Sequence, residues 1–245
     1  MIPLRNAAAL LAGLALAAGA VSLGNWQTRR VEEKEASAAQ LREREALAPV
    51  RLPATSQSPA DLEFRRVVAR GAWLPEQAIF LDNRTHDGIV GVQVVMPLRL
   101  SDSSAVLVDR GWTAKDPQDR ARLPRVPTSP GEVEVAGRAV GHVIGFMELG
   151  NAAPPPIGGL WANLSLDAYR KASALDVLDV IVLQTSDAPD GLVRDWPQPG
   201  SGSEKNLGYA LQWYCLAALS AGLTIWFGGR LAIRARNESR SRAGA

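Results

Sequence analysis

Cysteine occurs once in the 245 residues and histidine twice. A single cysteine cannot close an intrachain disulfide, and it excludes a CxxC redox pair, a thiol relay and a zinc site built on thiolates. It stands at Cys215, inside an apolar run, where a thiol serves as a small apolar residue. The two histidines, His86 and His142, are far apart in sequence. Each reads most simply as a surface-loop residue, with metal or haem ligation the alternative. A strong charge of one sign is also missing. Lys and Arg number 27 against 25 Asp and Glu, a net +2, which gives no electrostatic case for nucleic acid. No GxxxxGK[ST], no GxGxxG after a strand, no HExxH and no GxSxG occurs, and the carboxylates form no readable pair. The pattern points away from an enzyme.

Two apolar runs are present, near the ends, separated by about 180 residues of polar, strand-rich sequence. A hydrocarbon core of about 30 Å takes roughly 20 apolar residues of helix. The first run, residues 7–24, is rich in Ala and Gly and is followed by Trp26, Arg29 and Arg30. It reads as a retained anchor; a cleaved signal peptide, with small residues at Ala18-Gly19-Ala20, is the alternative. The second run, residues 207–227, has Tyr209, Trp213 and Tyr214 near its start and Trp226 and Phe227 near its end, as aromatic belts require. Arg230, Arg234, Arg236, Arg240 and Arg242 follow, and positive short segments stay cytoplasmic.

The expected organisation is a cytoplasmic N-terminus and first membrane helix over 1–28, an extracytoplasmic domain over 29–206, a second membrane helix over 207–228 and a basic cytoplasmic tail over 229–245. Both termini then lie inside a bacterial inner membrane and the middle domain faces the periplasm. Gln212, Ser220 and Thr224 are polar groups within the second span, which predicts that they face a partner helix or the first span. Tyr209, Trp213, Ser220 and Thr224 fall on roughly one helical face.

In the middle domain, residues 31–47 are charged and free of Gly and Pro and predict a helix leaving the membrane. The Pro-bearing stretch 49–60 reads as a linker. Strands are expected at 63–73, 77–82, 90–100, 104–112, 132–140 and 176–184, with a hairpin turn at residues 101–104. Pro154, Pro155 and Pro156 break the chain before a short helix at 167–175, capped by Asp167. The fold class is α+β: two transmembrane helices flanking a mostly antiparallel sheet or open barrel with one or two helices. Three loop motifs carry arginines beside glycines or aromatics: residues 83–98, 106–112 and 190–197. An arginine there holds a turn or stacks on tryptophan, or pairs with an acid or a propionate.

These motifs fall in a telling order. Residues 23–27 (LGNWQ) come first, then Asn83, Arg84, Gly88, Gly91, Gln93, Val94, Pro97 and Leu98. Next are VLVDRGW at 106–112, with Arg110, Gly111 and Trp112, and RLP at 122–124. LWANL at 160–164, DGLVRDWP at 190–197 with Trp196 and Pro197, and KNLGYALQWY at 205–214 complete the set. The chain resembles the Surfeit locus 1 family of cytochrome c oxidase assembly factors from about residue 10 to 228.

The resemblance implies an assembly factor that helps build subunit I of a haem–copper oxidase, with handling of haem a. It implies as partners subunit I, other assembly factors or the haem a synthesis enzyme, and the lipid bilayer. Asn206, Tyr209, Gln212, Trp213, Tyr214 and Arg194 are then the candidates for holding haem a, with Trp26 among the family-motif residues. One position departs from the family. Many bacterial members carry a His just before the second span, in a pattern like HLGYALQWF; here it is Asn206, and an asparagine amide is a poor iron ligand beside an imidazole. A membrane-anchored binding or sensing module without catalysis is the alternative, and a membrane-bound hydrolase a more distant one.

Overall fold

The structure, a computed structural model, describes residues 3–53, 58–119, 122–141, 155–196 and 202–243, with side chains to residue 237. His142, Pro154 and Pro197 lie outside the described residues. The chain divides into two compact units, one built from residues 1–39 and 198–245, the other from 40–197.

The first unit is made by two long helices, α1 (Leu4–Ala46, whose last turns belong to the second unit) and α4 (Ser203–Ala243). Each apolar run is embedded in a longer helix, and both helices are long and apolar enough to cross a membrane. The helix expected at 31–47 forms as the continuation of α1, because no Gly or Pro interrupts the charged stretch after Gly24.

The second unit is a barrel-like sheet. Its strands are β1 (Val50–Leu52), β2 (Arg66–Trp73), β3 (Ile79–His86), β4 (Ile89–Arg99), β5 (Ala105–Ala114), β6 (Glu132–Val140), β7 (Leu160–Trp161) and β8 (Val177–Gln184). Their order is β1-β2-β6-β8-β5-β4-β3-β7, and β2 also pairs with β4. The last pairing, Ala72 with Arg99 and Trp73 with Leu98, closes β2, β6, β8, β5 and β4 into a ring. The pairings β1–β2, β3–β7 and β5–β8 are parallel and the others antiparallel. The hairpin at residues 101–104 forms as expected, with the Ser101 and Ser104 hydroxyls 2.8 Å apart.

Alternation of side chains builds two apolar layers from these strands. Leu98, Val106, Val108, Val135, Ala139, Val180 and Val182 fill one face. Ile79, Leu81, Val95, Leu107 and Ile181 fill the other, with Trp161 of β7 and Tyr169 of helix α3 (Leu166–Ser173). Each fully buried aliphatic contributes about 1.5–3 kcal/mol. Strand β5 is buried on both faces from Ala105 to Gly111, so its sequence shows no polar alternation.

Several boundaries differ from expectation. The stretch 49–60 holds β1 and a short helix α2 (Pro59–Leu62), which a Ser58–Asp61 capping box starts. Helix α3 is capped by Ser165, whose hydroxyl accepts from the Ala168 amide at 3.4 Å. Asp167 already lies in the first helical turn and pairs there with Arg170 at 3.2 Å. Motif residues 83–86 are strand rather than loop; Asn83, at φ 56°, sits in an irregularity of β3 between Leu81 and Arg84.

Barrel closure fixes a glycine. A Cβ on Gly71 would run into the Arg99 carbonyl where β2 crosses to β4. Gly71→Ala is expected to cost about 2 kcal/mol or more in chemical denaturation of the purified protein. Gly208→Ala, whose Cβ meets no atom within 4 Å, is expected to leave stability unchanged or slightly raised.

Candidate functional site

In the first unit a polar ladder links the two helices. Asn206 donates from Nδ2 to Gln27 Oε1 at 2.7 Å and accepts at Oδ1 from Lys34 Nζ at 2.8 Å. Lys34 also reaches the Gly202 carbonyl at 3.3 Å. Gln27 and Lys34 are seven residues apart on α1, two turns along one face. One stretch nearer the centre of the apolar runs, Tyr214 donates to Asn25 Oδ1 at 2.8 Å and shares a hydrogen bond with Thr28 at 3.2 Å. Further along, Ser220 Oγ donates to the Gly13 carbonyl at 2.9 Å. Gly13 and Gly24 permit this approach, since a Cβ on either would strike Thr224 or Tyr214.

The stripe of α4 that meets α1 therefore runs through Asn206, Ala210, Ala217, Ser220 and Thr224. Ala210, Ala217 and Ser220 are buried and Trp213 is half-buried. Tyr209 is 54% exposed and Gln212 is exposed, so neither packs on the first helix, which leaves the partner-facing alternative for both. The small residues Ala210 and Ala217 allow the closest approach, and they turn the contact stripe partly away from Tyr209. Trp26 is exposed, with the Arg30 guanidinium 5.9 Å from its ring.

The other candidates lie in the second unit, where the arginine motifs converge on one carboxylate. Strand β5 pairs Asp109 with Val95 and Gly111 with Val94, which makes Arg110 the extra residue of a β-bulge. The bulge aims Arg110 to the same face as Val106 and Val108, against Trp73 at 4.7 Å from the ring centroid. Its Nη2 donates to Asp190 Oδ2 at 2.8 Å and to the Pro127 carbonyl at 3.0 Å; its Nη1 donates to Thr128 at 2.9 Å. Arg194 donates to the same Asp190 oxygen at 2.6 Å. Asp190 Oδ1 accepts from the Leu192 amide at 3.2 Å. Burial lowers Arg110 from the ordinary arginine range and Asp190 counteracts it.

Neighbouring motif residues lock this arrangement. Gly111, at φ +137°, faces the Val193 carbonyl, to which a Cβ would come within 2.6 Å, and Trp112 pairs with Val193. Trp112 Nε1 donates to the Arg84 carbonyl at 2.8 Å, and its ring stacks with His86 at 5.2 Å. Trp196 donates to the Gln184 carbonyl at 2.7 Å. Gly88 turns the β3–β4 hairpin, and Pro97 lies within β4, its carbonyl accepting from the Leu74 amide. Thus Arg84, Arg110, Gly111, Trp112, Arg194 and Trp196 gather around the β5 bulge.

Sequence reading did not single out Trp73, Gln184 or Lys34, and it named Asp109 and Asp190 only as members of the motifs at 106–112 and 190–197. Asn25 and Gln27 were visible only as part of the LGNWQ motif.

Among the described residues the arrangement consists of buried ion pairs and hydrogen bonds that hold strands to loops and helix to helix. Among the described residues no group of three metal-ligating side chains occurs. Residues 14–218 match the SURF1 family. The chain belongs to the SURF1 family. It is 28% identical over 233 residues to a SURF1-like protein of Monosiga brevicollis, covering 87% of this chain and 86% of that one. It is 26% identical over 238 residues to a SURF1-like protein of Dictyostelium discoideum, covering 81% and 88%. Surfeit locus protein 1 of Rattus norvegicus is 27% identical over 237 residues, covering 87% of this chain and 73% of the rat protein. The SURF1 match takes in the polar ladder from Asn25 to Tyr214 and the whole Asp190 cluster.

Asp109 is the odd group of that cluster. It is fully buried; among the described residues its Oδ1 accepts the Gly111 amide at 3.3 Å and its Oδ2 has no hydrogen-bond partner. Burial pushes its carboxyl up to about 8, against the smaller opposing pull of the Gly111 amide and Arg84. The folded state thus keeps a proton that the unfolded chain, at about 3.8, gives up. Stability is full below about pH 4 for this group and is lost as pH rises through 8. The melting temperature is expected to fall between pH 5 and pH 8.5 for the wild type, relative to Asp109→Asn measured by the same thermal scans.

Proposed function

We propose that this chain is a membrane-held assembly factor for cytochrome c oxidase, acting on the maturation of oxidase subunit I around haem a insertion. SURF1 family membership over residues 14–218 is the observation that carries this reading. Two apolar helices at the ends support a membrane anchor, and the arginines after Phe227 support a cytoplasmic tail with the middle domain on the periplasmic side of a bacterial inner membrane. The helices offer lateral surface to a partner's helices, and the barrel domain offers surface to its outer loops. The role is non-catalytic: it rests on binding and timed release.

Direct ligation of haem iron by this chain is not part of the reading. The Asn206 amide is engaged by Gln27 and Lys34, and no imidazole, thioether or thiolate joins them in the ladder. That donor set does not fit axial ligation. The iron ligands are assigned to subunit I, which this chain keeps receptive. Tyr209 and Gln212, exposed on α4, with the half-buried Trp213 and with Tyr214, are the proposed contact zone for that partner or for the haem plane.

Reduced-minus-oxidised spectra of membranes from a strain lacking this protein are the test. The expected result is loss of the haem a band and of cytochrome c oxidase activity, with b- and c-type cytochromes intact and restoration by the wild-type gene. An unchanged spectrum with full oxidase activity moves the assignment to the binding or sensing module.

A further inference from the structure

We infer that the open mouth of the barrel is a cleft for an extended polypeptide segment of the client protein, held through its backbone by Arg110 and Gln184. This deepens the assembly reading and rests on it. The cleft measures about 310 Å3 and lies between the loops at residues 127–129 and 186–190. Barrel mouths with a few convergent polar groups are common ligand sites, at roughly 300–1,000 Å3.

The inner face of this barrel is aliphatic except at that end. Val106 and Val108 lead on β5 to Arg110, and Val180 and Val182 lead on β8 to Gln184. Both polar residues are buried, the Arg110 side chain 3% and Gln184 2% exposed, and both line the cleft. Arg110 commits both terminal nitrogens to Asp190, Pro127 and Thr128, and its Nε has no partner. Gln184 donates Nε2 to the Ser186 carbonyl at 3.0 Å, and its Oε1 has no partner. The unpartnered donor and acceptor are buried on residues that line the cleft, and are complementary in kind to the C=O and N–H of a peptide chain entering between these loops, with Trp73 as the apolar wall.

Charge narrows the occupant. Glu134 and Asp187 line the cleft and are exposed, Glu134 having only a loose ion pair with Arg51 at 3.9 Å. Two carboxylates at the rim disfavour an anion and favour a segment with a Lys or Arg beside the gripped peptide group.

The test uses the full-length protein in lipid nanodiscs and short fluorescent peptides tiling the outer loops of oxidase subunit I. Fluorescence anisotropy is expected to find one loop, with a basic residue, that binds. Methylation of its backbone nitrogen should abolish binding. Gln184→Leu and Ser129→Trp, the second at an exposed position that blocks the mouth, should each weaken it by about tenfold or more. Gln184→Leu should keep the wild-type melting temperature, which separates a lost grip from a lost fold. Binding of no peptide, equal binding by wild type and both variants, or binding of amide small molecules alone overturns the inference. So does full restoration of the haem a band by the Ser129→Trp gene, which leaves the assembly reading standing. Failure of that reading itself appears separately, as an unchanged band in the deletion strain.

Discussion

A carboxylate out of water, Asp190, accepts two arginines on one oxygen, and the upper end of the barrel is organised around it. Arg110 can be buried inside an aliphatic strand face only because this charge offsets it. Taking one partner from such a pair leaves an uncompensated buried charge, at about 3–5 kcal/mol. Arg110 is the extra residue of the β5 bulge, and Gly111 is required by the backbone that follows it. The segment after Asp190 is drawn back across β5, where Val193 pairs with Trp112, and Trp196 then reaches Gln184. The short motifs at 83–88, 106–112 and 190–196 thus converge on one structural device, although they are distant in sequence.

The helical unit solves a different problem. Two long helices gain no hydrophobic drive toward one another in lipid, so small residues and hydrogen bonds must hold them. Gly13 and Gly24 on α1 give room to Thr224 and Tyr214, and Ser220 bonds the Gly13 carbonyl. Asn206 with Gln27 and Lys34 adds a polar clasp beyond the start of the second apolar run. This clasp makes Asn206 a helix–helix contact. The arrangement suits a protein whose work is to present surfaces to a membrane partner.

Much of this was legible. The β-branched runs marked the long strands, the serine-rich turn marked the β4–β5 hairpin, and the two apolar runs marked the helices. The misses have physical causes. Asp167 and Ser165 are both good helix caps, and only backbone conformation decides between them. Strand β3 continues through Asn83 because a left-handed residue is absorbed by an irregularity in pairing, so a turn-like sequence remains strand. Strand β1 and helix α2 are too short for periodicity to reveal. Helical phase placed Tyr209 on the contact face, but the small side chains of Ala210 and Ala217 let α1 approach there and rotate the stripe. Arginines beside glycines announced that something was held; which acid held them depended on a bulge and on a residue 80 positions away. The Asn206 ladder, 179 and 172 residues from its partners, needed the helices in place.

The central claim is that this SURF1-family protein holds oxidase subunit I while the latter is being completed. Pulse labelling followed by immunoprecipitation of the chain from solubilised membranes measures that directly. The account predicts newly made subunit I in the precipitate at early times, leaving it during the chase as assembled oxidase accumulates. Absence of subunit I at every time, with oxidase assembling at its normal rate, would contradict it.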